Sequence, residues 1–157
     1  MLSVRDTIVI RGDLAEVYEC FWNPRLWTEI TPHVKKIEML DETATSQRFK
    51  MEVHSDGKEY YMETQRQAFP LQAICYRQLR PPPFLTLHTG EWNFALSPEG
   101  VRVTLSHEVE VDADRACEIL GVTDAEEAVR RIRTALKHNG SSTLHAVKRW
   151  VEEHIVA

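Results

Sequence analysis

The sequence predicts an α+β fold: a curved antiparallel sheet of seven strands wrapped around one long C-terminal helix, with two short helices after the first strand. Three observations lead there. Apolar residues alternate with period two through six segments between residues 33 and 111. The connections between those segments are too short for the crossovers that parallel strands need. After residue 123 the period becomes helical, and one apolar stripe runs to the terminus. A chain of 157 residues is long enough for one core and too short for two ordinary ones, so residues 1–157 read as one domain.

The elements follow in order. Residues 3–11 (SVRDTIVIR) are rich in β-branched side chains and predict the first strand. Asp13 precedes Glu16 by three, a capping-box start. Leu14, Val17, Tyr18, Phe21 and Trp22 then give a short amphipathic helix that Asn23 and Pro24 end. A second short helical piece covers 26–30 and stops before Pro32. The predicted strands are 34–41, 45–54, 58–68, 71–79, 84–95 and 101–111. Between them lie Asp41-Glu42-Thr43, Ser55-Asp56-Gly57, Phe69-Pro70, Pro81-Pro82-Pro83 and Ser97-Pro98-Glu99-Gly100, all turn-forming sequences.

Residues 112–120 predict a brief helix closed by Gly121, and Thr123 with Glu126 makes another capping box. Val129, Ile132, Leu136, Thr143, Val147 and Val151 mark the final helix, roughly 30 residues and about 45 Å long. Asn139-Gly140 lies in its middle, a point where it either bends or continues. A curved sheet with one apolar face needs a cover, and only this helix is long enough to supply it.

Composition narrows the function classes. Hydrophobic residues make up 43% and charged residues 27%, as in ordinary globular domains. A net charge of −5 with no basic tail argues against phosphate-driven nucleic-acid binding. No apolar run approaches the ~20 residues of a membrane span, and the N-terminal MLSVRD lacks the build of a signal peptide. Cys20, Cys75 and Cys117 are odd in number and far apart, so no disulfide framework is expected and a cytoplasmic location is. There is no HExxH, CxxC or tight His/Asp cluster to predict a metal site, and no GxGxxG or GxxxxGK[ST] loop for a nucleotide. His138, His145 and His154 are expected on the surface of the last helix. Arg130, Arg131, Arg133 and Lys137 form a basic patch, either a solvated face or a dock for an acidic partner such as a carrier protein.

Alternation also shows which polar side chains share the apolar face. In 58–68, Tyr60, Met62, Thr64, Arg66 and Ala68 lie together, opposite Glu59, Glu63, Gln65 and Gln67. In 101–111, His107 shares its face with Val101, Val103, Leu105, Val109 and Val111. In 84–95, His88 shares parity with Trp92 and Phe94 unless Gly90 carries a bulge. Asn139 falls on the buried stripe of the last helix. Burying such groups costs several kcal/mol each unless they are paired, and a pocket for a polar ligand relieves that cost. Each group also has a plainer reading: Arg66 pairs with a carboxylate or lies at the barrel mouth, His107 and His88 are core histidines, Asn139 marks a helix break, and Tyr60 and Trp92 are wall.

The element order and four local segments resemble the START-like (SRPBCC) superfamily with its helix-grip fold, and within it the polyketide aromatase/cyclases. The segments are WTEITPHV at 27–34, YYMETQR at 60–66, PFLTLHTGEWNF at 83–94 and NGSSTLHAVK at 139–148. They match the family's pattern at Trp27, Tyr60, Thr64, Arg66, Trp92, Asn139 and Lys148. Val34 stands where many relatives carry an aromatic residue, often tyrosine, and Glu91 where a histidine is usual. The Pro81-Pro82-Pro83 run is also unusual.

The resemblance implies a cofactor-free enzyme. It would direct regiospecific aldol cyclisation and dehydration of a poly-β-ketone held as a thioester on an acyl carrier protein. Arg66 would then polarise carbonyls and His107 act as acid and base, the two catalytic residues expected. Tyr60, Thr64, Trp92, Asn139, Trp27 and His88 would bind substrate. No metal, nucleic acid or membrane is expected, and the chain would be a monomer or homodimer. Two other readings remain open: a non-catalytic carrier of a lipid, quinone or aromatic metabolite, and a regulatory domain whose pocket is filled.

Overall fold

The alternating segments form one seven-stranded antiparallel sheet in the computed structural model, which describes residues 1–55 and 57–154. Strands β1 (Leu2–Ile10), β2 (Val34–Glu42), β3 (Ser46–Ser55), β4 (Lys58–Phe69), β5 (Ala73–Arg80), β6 (Leu85–Ser97) and β7 (Gly100–Val111) lie in the order β1-β7-β6-β5-β4-β3-β2. Consecutive strands from β2 to β7 are neighbours, and β1 closes the far edge against β7. Register shifts interrupt the ladders in β2, between Glu63 and Thr64, and between Leu85 and Leu87. Such bulges bend strands, and a bent sheet can wrap a helix.

The helices are α1 (Leu14–Trp22), a 3₁₀ turn (Pro24–Leu26) running into α2 (Trp27–Ile30), α3 (Ala113–Leu120) and α4 (Ala125–Glu153). Gly121 ends α3 at φ 68°, the left-handed position that glycine fills without strain. Helix α4 runs unbroken for 29 residues through Asn139 and Gly140, so the pair does not mark a helix break. Gly140 is buried, and a β-carbon on it would come within 3.1 Å of Leu105 Cδ2. The missing side chain lets helix and sheet approach closely.

Several local expectations need correction. The cap of α4 is Asp124, whose carboxylate accepts from Glu126 N, and not Thr123. Asp13 holds the cap position of α1 but makes no side-chain cap bond. Strand β5 starts at Ala73, because Leu71 turns the chain with φ 64°. Gly90 carries no bulge; it pairs in register with Tyr76 and His107, and the irregularity lies near Leu85.

The apolar interior divides into three clusters. One joins α1 and the end of α4 to the sheet through Val17, Phe21, Trp92, Leu105, Leu144 and Val147. A second joins α3 and the start of α4 to Leu2, Leu85 and Val109. The third lies over the β2–β3 edge around Trp27, Val34, Phe49 and Val53. No helix among the described residues is long and apolar enough to cross a membrane.

Candidate active site

The three clusters leave a hollow between α4 and the concave face of the sheet. It offers about 170 Å³ to the centre of a water molecule, and its wall is mostly apolar. All eight residues expected at a site line it: Trp27, Tyr60, Thr64, Arg66, His88, Trp92, His107 and Asn139. Period-two alternation explains why. Along β4, Thr64, Arg66 and Ala68 are buried while Gln65 and Gln67 are exposed, and along β7 Val101, Val103, Leu105 and Val109 are buried with His107 on their side.

Register places the key groups in one row across five strands. Gln47 pairs with Arg66, Arg66 with Tyr76, Tyr76 with Gly90, and Gly90 with His107. Arg66 is 2% exposed, and among the described residues no carboxylate pairs with it. Its Nη1 donates to Trp22 O at 3.3 Å and Gln47 Oε1 at 3.2 Å, and its Nη2 donates to Phe21 O. Those carbonyls are the last of α1, which lack partners within the helix and carry the negative end of its dipole.

Arg66 therefore caps α1 from the sheet. The rings of Trp22, Trp27 and Phe49 surround it at 5.2, 4.8 and 5.9 Å. Burial lowers its pKa to about 9, opposed by the Tyr18 and Tyr76 phenols, which leaves it protonated at neutral pH. Its Nε is buried without a partner. The guanidinium has more donors than these bonds use, and it faces the hollow.

Beside Arg66 in the row, Tyr76 holds two histidines. Its hydroxyl lies 3.1 Å from His88 Nε2 and in a short hydrogen bond with His107 Nδ1; the two ring nitrogens are 3.4 Å apart. Burial pushes the Tyr76 phenol up, against the pull of Arg66. Burial also lowers His88 to about 3, with His107 adding to it, and His107 to about 4, with Asp6 opposing. Both imidazoles are neutral near pH 7.

The other expected residues take varied places. Thr64 donates its hydroxyl to Gln78 Oε1 at 2.6 Å, both side chains buried. Trp27 donates from Nε1 to Cys20 O at 3.1 Å and stands edge-on to Phe49. Trp92 packs against Phe21 at 4.8 Å, and Tyr60 stands edge-on to Phe84 at 5.5 Å. Asn139 lies on the hollow wall from α4. Lys148, which matched the resemblance, is structural here: it donates to Val9 O and pairs with Glu152.

Tyr76, Gln78, Asp6 and His33 were not singled out from sequence. Alternation in β5 puts Ile74, Tyr76 and Gln78 on one face, and alternation in β1 puts Asp6 with Val4 and Ile8, so a signal existed. His33 borders the hollow with Nδ1 unpartnered and a pKa lowered to about 4, mainly by burial. A second groove adjoins the hollow through His33, Arg131, Ala135 and Asn139 and adds Lys35, His54, Arg130 and His138. The basic patch thus reaches the hollow's edge, and His138, His145 and His154 are exposed as expected.

Residues 10–137 match the family described as polyketide cyclase/dehydrase and lipid transport. The granaticin polyketide synthase bifunctional cyclase/dehydratase of Streptomyces violaceoruber is 33% identical over 94% of this chain and 47% of its own. The actinorhodin polyketide synthase bifunctional cyclase/dehydratase of Streptomyces coelicolor is 32% identical over 88% and 48%. The chain spans about half the length of these relatives. Among solved structures, the di-domain ARO/CYC BexL superposes with a TM-score of 0.88 at 32% identity, covering 96% of this chain and 50% of that one. The Zhui aromatase/cyclase of a Streptomyces species shares the fold at a TM-score of 0.87 and 24% identity, covering 99% and 96%.

Proposed function

Because the chain belongs to the polyketide cyclase/dehydrase and lipid-transport family, we propose that it is an aromatase/cyclase, closing a ring in a carrier-bound poly-β-ketone by aldol condensation and then dehydrating it. The observation that carries this reading is Arg66: a buried guanidinium with no carboxylate partner among the described residues, on the wall of an apolar hollow. An enolate or aldolate oxygen beside it gains charge where water is excluded, and a fixed donor there stabilises the transition state strongly.

A poly-β-ketone closes spontaneously in several registers. Trp27, Trp92, Tyr60, Thr64 and His88 restrict its path, and Asn139 orients an oxygen. Holding one near-attack geometry contributes several kcal/mol. His107 serves as acid and base; a neutral imidazole can take a proton in enolisation and return it as hydroxide leaves as water. The acyl carrier protein approaches along the basic groove. No cofactor enters this scheme.

The test is a reconstituted polyketide assay comparing product ratios with wild type, Arg66→Lys and Arg66→Ala. Wild type should channel the chain into one ring register, and both variants should return it toward the spontaneous mixture. Unchanged ratios with folded Arg66→Lys would remove Arg66 from the reaction, and no effect of wild type would overturn the reading. Two observations favour carriage instead: Thr64 and Gln78 satisfy each other, and Arg66 partly serves α1. A stoichiometric lipid or quinone in the native mass spectrum of freshly purified protein would support that alternative.

A further inference from the structure

Resting on the cyclase reading, we propose that Tyr76 is the group that exchanges protons with the substrate, and that Asp6 is a positioning residue that sets it up through His107. Strand β1 buries Leu2, Val4 and Ile10 on its inner face, and Asp6 shares that face. Asp6 Oδ2 is buried without a hydrogen-bond partner, and Oδ1 lies 3.5 Å from Lys137 Nζ. His107 Nε2 is also buried without a partner. Both atoms border one gap: they lie 3.6 and 3.3 Å from the point where a Gly140 β-carbon would sit.

This arrangement decides where the protons are. If His107 carried its hydrogen on Nδ1, it would donate to Tyr76 and turn a bare Nε2 lone pair toward the Asp6 carboxylate. With the hydrogen on Nε2 instead, that N–H faces the carboxylate and Nδ1 accepts from the Tyr76 hydroxyl. The second arrangement is electrostatically favoured. Tyr76 Oη then accepts from His88 Nε2–H, and His88 Nδ1 is left as a bare acceptor. The charged and titratable groups around His107 are Asp6 on β1, Lys137 on α4 beyond it, His88 on β6, Tyr76 on β5 and Arg66 on β4 next to Tyr76 in register.

The proton traffic closes. In enolisation Tyr76 Oη takes a hydrogen from the carbon between two carbonyls while its own proton moves to His107 Nδ1. The C–H electron pair passes to the carbonyl oxygen facing Arg66. That pair then forms the new C–C bond, and the attacked carbonyl's π pair moves to its oxygen. His107 returns the proton through Tyr76 to this aldolate, giving a hydroxyl. In dehydration a second hydrogen leaves the same carbon for His107 by the same route, and His107 returns it through Tyr76 to the departing hydroxyl. The enolate pair becomes the C=C bond, the C–O pair leaves with oxygen, and the product is one water. Asp6 stabilises the transient imidazolium.

Long-range ¹H–¹⁵N spectra of the histidine rings test the array without substrate. Wild type should show His107 and His88 both protonated at Nε2. Asp6→Asn should switch His107 toward Nδ1, with Asp6→Glu restoring Nε2 in part. Gly140→Ala, which suits a helix better yet puts a methyl between the two groups, should also weaken the preference. A wild-type His107 protonated at Nδ1 would overturn the array.

In the reconstituted assay Tyr76→Phe should lower kcat about 100-fold or more, with KM little changed. Asp6→Asn should lower kcat about tenfold and move the acid limb of its pH profile to lower pH, because its negative field favours the His107 proton. Unchanged kcat in Tyr76→Phe would remove that residue from proton exchange. If wild type closes no ring, the cyclase reading and this chemistry fail together, while the tautomers are still decided by the spectra.

Discussion

Gly90 leaves the space that the ring of Tyr76 fills: a β-carbon built on Gly90 falls 2.3 Å from Tyr76 Cε1 and Cζ. The two residues are paired across β5 and β6, and the next partner in the row is His107. Any side chain at 90 would push the phenol away, so a missing methyl on a central strand permits the Tyr76–His107 contact.

Gly90→Ala follows directly. Overpacking of this kind costs about 1–3 kcal/mol, and the ring must leave the His107 nitrogen to relieve it. Unfolding in urea should show a loss in that range, and cyclisation activity should fall about tenfold or more if the phenol works as a general acid and base. Activity equal to wild type would show that the contact is dispensable.

Arg66 is predicted to matter for stability as well as chemistry. Removing it strands the carbonyl of Phe21 and Gln47 Oε1, while Trp22 O keeps its bond from Gln47 Nε2. Each buried polar group left without a partner costs about 1–3 kcal/mol. Arg66→Ala should therefore lose several kcal/mol in equilibrium unfolding. Arg66→Lys, which keeps charge but lacks the planar fork, should fall between. Equal stability of Arg66→Ala and wild type would mean that the α1 end finds other partners.

Most of the fold was legible, because strand alternation and helix periodicity are local signals. That is why Arg66, His107 and Thr64 could be placed on the inner face from sequence. What they touch was not legible. Arg66 was expected to meet a carboxylate or a ligand, yet its protein partners are two backbone carbonyls and an amide, and backbone groups leave no trace in residue identity. Gly90 left the parity of His88 open because a glycine in a strand signals either a bulge or a close approach, and only the register with Tyr76 separates the two. Tyr76 itself shows in the alternation of β5, but its meeting with His107 depends on three strands being in register.

Acid should destabilise the protein through its buried histidines. His33 and His107 have pKa values lowered to about 4 and His88 to about 3, from an ordinary value of 6.5. Between those limits the unfolded chain binds more protons than the fold, so stability is complete above about pH 6.5 and falls as pH drops. The slope is about 1.4 kcal/mol per pH unit for each proton. Glu42 and Glu152, whose pKa values are lowered, oppose folding loss until lower pH: their contribution is present above their ordinary value of 4.5 and disappears below it. Urea titrations from pH 7 to about 5 therefore isolate the histidines. His33→Asn should flatten the slope, and an unchanged slope would show that His33 titrates normally.

The basic groove beside the hollow makes the last prediction. Lys35, Arg130, Arg131 and His138 surround it, and it adjoins the hollow at His33, Arg131 and Asn139, so an acidic carrier seated there would deliver its thioester chain inward. Arg130 is exposed and borders the groove rather than the hollow. Arg130→Glu should raise KM for a carrier-bound chain about fivefold, on the order of 1 kcal/mol for a surface charge reversal, with kcat unchanged. A short thioester free of the carrier should react at the wild-type rate. High salt should narrow the gap between variant and wild type, since exposed charges are screened within about 10 Å at 0.1 M. A KM that stays at the wild-type value at low salt would place the carrier elsewhere on the surface.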